Sequence, residues 1–205
     1  MKKLILLTIL SLLLFTSIAT AENVTPGVNM MAEKSGLNDI MLIGGTLEME
    51  LENDIIIDGY LGTGIEDGDQ YIAEISLIKK FLADKNYYFG LAYKHAYDDN
   101  TDGGAEITRN IMYAKFVGKN SVNGYNLTTD ISLSPYAVYS IGDGDSESMD
   151  SYYISLEIER RISDALSFAF TAKRGNDEYT TDLDSYGIDI SHSVTSYTFG
   201  LKFDM

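Results

Sequence analysis

The sequence predicts an all-β fold, an antiparallel up-and-down transmembrane β-barrel of ten strands. Three observations carry that prediction. Most segments alternate apolar and polar residues, and in a strand this puts a greasy strip on one face and a wet one on the other. The connections between segments alternate short and long. Acidic residues crowd the long connections, sixteen of them against the single base Lys34.

Residues 1–21 read as a secretory leader, with Lys2 and Lys3, an apolar run from Leu4 to Phe15, and the small-x-small site Ala19-Thr20-Ala21. The barrel then occupies residues 22–205, a length suited to one domain. There are no cysteines, so neither a lipid-modified cysteine nor a disulfide framework is available. Past Ala21 no apolar run is long enough to cross a bilayer as a helix, so any crossing is made by strands. The whole chain has a formal charge of −16, and losing Lys2 and Lys3 takes it to −18. Such acidity argues against nucleic acid as a partner, because phosphates are repelled.

In order, the expected strands are Asn23–Glu33, Ile40–Leu51, Ile55–Gly64, Tyr71–Phe81, Tyr87–Tyr97, Ala105–Val117, Gly124–Ile141, Ser151–Arg161, Ala165–Gly175 and Thr195–Asp204. The first is weak because Pro26 interrupts it. The fifth is the clearest, with Tyr87, Phe89, Leu91, Tyr93, His95 and Tyr97 on one face and Tyr88, Gly90, Ala92, Lys94 and Ala96 on the other. The sixth alternates poorly. Short connections fall at 52–54, 82–86, 118–123 and 162–164, and long ones at 34–39, 65–70, 98–104, 142–150 and 176–194. With both termini on the short-turn side, the strand number must be even. Ten satisfies this, and eight is the alternative if the first segment is a tail and two neighbours merge.

Lys79, Arg109, Lys115, Arg160 and Arg174 are expected on the lipid face near strand ends, where long side chains snorkel to headgroups. Tyr71, Tyr87, Tyr97, Tyr125, Tyr139, Tyr152 and Tyr197 are expected to form an interfacial girdle. The inward faces are expected to line the lumen with Glu48, Glu50, Asp58, Glu74, Lys94, Asp130, Glu157, Glu159, Arg161, Lys173 and Lys202, joined by Lys80, Glu106 and Asp204. Charges in a narrow lumen pair with one another, so a packed interior is favoured over a pore. If the lumen conducts, nine acids against five bases imply a cation preference.

The last segment, Thr195–Met205, places Tyr197, Phe199, Leu201, Phe203 and Met205 on one face. It resembles the C-terminal insertion signal of bacterial outer-membrane barrel proteins, departing from it at Met205, where that family carries Phe or Trp. Over its whole length the chain resembles the class that includes OmpA-type transmembrane domains and opacity-like or adhesin-like barrels. The resemblance implies an integral protein of the Gram-negative outer membrane, in contact with lipid and lipopolysaccharide and inserted by the barrel-assembly machinery. Its role would be structural or surface-interacting, and no subfamily is singled out.

No zinc motif, phosphate loop or nucleophile elbow occurs, and no cofactor is implied. His95 falls on the lipid-facing strip, while His192 sits near Asp189 and Ser191, the one pattern that invites a hydrolase reading. The sequence supports a non-enzymatic reading over it. The acidic stretches 65–69 and 142–147 lack the full calcium-loop pattern. They are expected at most to share divalent cations with lipopolysaccharide phosphates.

Overall fold

The computed structural model describes residues 21–34, 39–65, 70–82, 85–99, 106–142, 146–179 and 191–203. All regular structure among them is strand: β1 (Ala21–Lys34), β2 (Asp39–Leu51), β3 (Ile55–Gly64), β4 (Gln70–Lys80), β5 (Tyr87–Asp98), β6 (Ile107–Val122), β7 (Tyr125–Ile141), β8 (Glu147–Ser163), β9 (Leu166–Tyr179) and β10 (Ser191–Phe203). Every strand pairs antiparallel with its sequence neighbours, and β1 closes the sheet against β10. The ten-strand reading holds, and Pro26 is accommodated within β1 opposite Leu47.

Local chemistry sets the short-turn end. Between β6 and β7 the chain reverses on Asn123 and Gly124, at φ 53° and 81°, the left-handed pair that a two-residue hairpin turn requires. The expected connection at 118–123 was therefore too long; β6 runs on to Val122. Between β2 and β3, Asn53 and Asp54 take left-handed backbone at φ 65° and 58°. At the other end the strands also outrun expectation. β9 reaches Tyr179 and β10 begins at Ser191, so Asp177 and His192 belong to strands rather than to the last loop.

Each strand turns at least one large apolar residue outward: Val28, Ile43, Leu61, Leu77, Leu91, Phe116, Ile131, Ile154, Phe168 and Phe199 are 39% to 65% exposed. A continuous apolar exterior of this kind is untenable in water and suits acyl chains. Tyr197, Phe199, Leu201 and Phe203 lie on it, and Met205 falls outside the described residues.

Two expectations about facing are overturned. Arg109 and Lys115 point inward, 3% and 8% exposed. On β6 the odd-numbered residues from Ile107 to Val117 are buried, while Met112 and Phe116 face out. Tyr139 also points inward, at 2% exposure, and is not part of a girdle. For Tyr139 the cause lies in β7, where the register with β6 and with β8 shifts after Leu133, around Pro135. An extra residue in one strand reverses the face of everything beyond it. Leu133 thus faces outward and Tyr139, of the same parity, inward.

Candidate functional site

The interior is built in tiers. On the loop side, Asp177 of β9 is completely buried. Its Oδ1 accepts hydrogen bonds from Ser151 Oγ at 2.6 Å and Tyr153 OH at 2.7 Å, and its Oδ2 pairs with Arg109 Nη1 at 3.2 Å. Two charges taken out of water need such a full set of partners. Aromatic rings complete the tier. Tyr113 meets Tyr153 edge-on at 5.7 Å, and Tyr139 meets Tyr179 edge-on at 4.6 Å. Ile107, Ile111, Met149 and Val194 pack against them. The Lys94 and Lys173 ammonium groups stand 5.4 Å and 4.2 Å from the centroid of the Tyr153 ring, in cation–π range.

Gly175 makes room for that ring. It lies directly across from Tyr153, and a Cβ there would come within 2.2 Å of Tyr153 Cδ1 and 2.1 Å of the Tyr152 carbonyl oxygen. Gly175→Val therefore displaces Tyr153 from Asp177. The expected result is a loss of about 1–3 kcal/mol from overpacking, read as a lower urea midpoint for the refolded barrel.

The middle tier centres on Lys115. Its Nζ reaches Asp130 at 2.9 Å and Glu74 at 3.5 Å, and Ser132 Oγ donates to Asp130 at 2.7 Å. Towards the short turns, Lys119 pairs with Glu48 at 3.0 Å, and Lys202 bridges Glu157 at 2.6 Å and Glu159 at 3.1 Å. Thr171 Oγ1 donates to Glu157 at 3.2 Å. Between the aromatic tier and these lower bridges lies a cavity of about 250 Å³, lined among others by Glu48, Asp58, Glu74, Lys115, Asp130 and Lys202.

Of the expected lumen residues, Glu48, Asp58, Glu74, Asp130, Glu157 and Lys202 line this cavity. Lys94 and Lys173 sit in the aromatic tier. Glu50 and Arg161 lie at the short-turn rim, where Asn23 donates to Glu50 and Arg161 donates to the Ser163 and Asp164 carbonyl oxygens. Sequence reasoning missed Arg109, Lys115, Lys119, Tyr153 and Asp177 as interior groups. The mid-strand Pro135 of β7 signals the change of facing that turns Tyr139 inward, and no comparable signal marks these five.

His95 faces outward as expected, held by Tyr71 OH at 3.1 Å and Asn110 Oδ1 at 2.8 Å. Arg160 also faces outward near the short turns and donates to Tyr125 OH at 3.2 Å. Most of the stretches at 65–69 and 142–147 lie outside the described residues. Among those described, no group of three or more His, Asp or Glu side chains is placed to hold a metal ion.

No family model matches the chain, and no curated protein matches it. Solved structures do. The outer-membrane protease OmpT of Escherichia coli superposes with a TM-score of 0.59 at 11% identity, over 91% of this chain and 98% of that one. Neisserial surface protein A gives 0.48 at 9% identity, over 88% and 95%, and OprG of Pseudomonas aeruginosa gives 0.39 at 7%, over 91% and 96%. At 11% identity and a TM-score of 0.59, what this chain shares with OmpT is the fold, that of an outer-membrane β-barrel.

Proposed function

We propose that this chain is an integral outer-membrane barrel with a structural or surface-interacting role, its lumen closed on the loop side and its acidic loops displayed outside. The observation that carries this reading is the aromatic tier, where Arg109, Asp177 and four tyrosines meet across the interior. A barrel filled in this way supports packing rather than passage. Residues 1–21 act as the cleaved leader, Tyr197 to Met205 as the insertion signal read by the assembly machinery, and the outer face contacts lipid and lipopolysaccharide. The loop acids share divalent cations with lipopolysaccharide phosphates.

Planar-bilayer recording tests the reading. The refolded protein is expected to give no discrete conductance steps. Steady cation-selective steps would favour a narrow porin instead. A hydrolase centred on His192 gains no support from Asp177, its backbone partner across β9 and β10, because that carboxylate is already held by Arg109, Ser151 and Tyr153.

A further inference from the structure

The cavity below the aromatic tier carries more than paired charges. Its lining acids outnumber its lysines by five to three, and three of its polar side-chain atoms are buried without a hydrogen-bond partner among the described residues: Ser76 Oγ, Tyr60 OH and Asn29 Oδ1. Ser76 itself is only 2% exposed. The register explains where the imbalance concentrates. Glu48, Asp58 and Ser76 are direct cross-strand partners along β2, β3 and β4, so two carboxylates and an orphaned hydroxyl stand in one row on the inner face. Like charges directly opposite one another are unfavourable. Lys119 answers Glu48, and Lys115 answers Glu74 and Asp130, but no ion pair reaches Asp58 among the described residues.

We propose that this cavity is a binding site for a small organic cation, a short aliphatic amine or diamine, entering from the short-turn side. Asp58 feels the charge of Lys115, which is shared with Glu74 and Asp130. An ammonium donating to the Asp58 carboxylate and to Ser76 Oγ supplies a dedicated countercharge and a partner for the orphaned hydroxyl. The same walls include Ile56, Ile78 and Val117, which receive a methylene stem. That apolar patch, together with the lack of a three-ligand metal cluster among the described residues, selects an alkylammonium over an inorganic ion. About 250 Å³ holds roughly eight waters at ~30 Å³ each, or a chain of comparable volume. The aromatic tier blocks approach from the loops. On the opposite side the Lys119–Glu48 and Lys202–Glu157 bridges are partly solvent-exposed, which leaves a polar approach past them.

The test is calorimetric titration of the full-length mature protein, refolded in detergent, with putrescine, with butanediol and with Mg²⁺ alone. Saturable one-to-one putrescine binding is expected, with butanediol and Mg²⁺ far weaker. Asp58→Asn should weaken putrescine at least about tenfold, as removal of a charge-assisted contact predicts. Ser76→Ala keeps every charge, so it carries the test if Asp58→Asn does not refold, and it should weaken binding about threefold. Absence of putrescine binding, equal binding of butanediol or Mg²⁺, or affinity unchanged in the refolded variants overturns the proposal.

Discussion

Replacing Asp177 by alanine is expected to destabilise the barrel by about 3–5 kcal/mol, the largest single-residue effect the interior offers. Three groups lose their acceptor at once. Arg109, 3% exposed, keeps its charge with its carboxylate partner gone, and Ser151 and Tyr153 lose the oxygen they share. A buried cation stripped of its partner is far more costly than a pair that never existed. Unfolding in urea from lipid vesicles should show a lowered midpoint with an unchanged slope. The double variant Arg109→Met with Asp177→Leu should recover part of the loss, because it removes both charges together. A destabilisation equal to the sum of Arg109→Met and Asp177→Leu measured singly would mean that the pair contributes nothing as a pair.

The second large effect is expected on the opposite face. Leu91 lies near the middle of β5, 53% exposed, opposite Leu77 of β4, which is 54% exposed. For a barrel standing in water, an arginine at so exposed a site would cost almost nothing. In a bilayer the same charge sits at depth in hydrocarbon, and Leu91→Arg should cost about 2–4 kcal/mol. The change should fall as the arginine is moved towards either end of the strand, where its side chain reaches headgroups. Refolding yield and urea midpoints in vesicles across such a series provide the measurement.

These two sites differ in how readable they were. Leu91 stands in a strand whose outer residues are aromatic or aliphatic and whose inner ones, Tyr88 apart, are small or charged, so period-two reading gives its face directly. The same holds for β10 and for the lower halves of β7 and β8, where alternation points Lys202, Asp130, Glu157 and Glu159 inward. The loop half of the barrel is different because its interior is itself apolar. Ile107, Ile111 and Tyr113 pack inward beside Arg109, so β6 presents greasy residues on both faces and alternation cannot say which one meets lipid. Alternation alone therefore allows Arg109 and Lys115 to face outward, and the structure turns both inward.

Tyr139 was misplaced by the register shift near Pro135, which no count of alternate residues registers. Asp177 lies between Asn176 and Glu178, a polar run with the composition of a loop. Only tertiary pairing with Arg109 and Tyr153 makes it the centre of a tier. Partner identity across the barrel, as in Lys119 with Glu48 or Lys202 with Glu157, depends on strand stagger, which the sequence does not state.

The absence of cysteine allows the central claim to be tested with single labels. Leu77→Cys or Leu91→Cys, carrying an environment-sensitive fluorophore and refolded into vesicles, reports directly on what the outer face touches; Asn123→Cys at the hairpin turn serves as the wet reference. Blue-shifted emission from the Leu77 and Leu91 positions, quenched by lipids brominated along their acyl chains and untouched by aqueous iodide, is the predicted result. Emission from those positions matching the Asn123 label, with quenching by iodide, would contradict it.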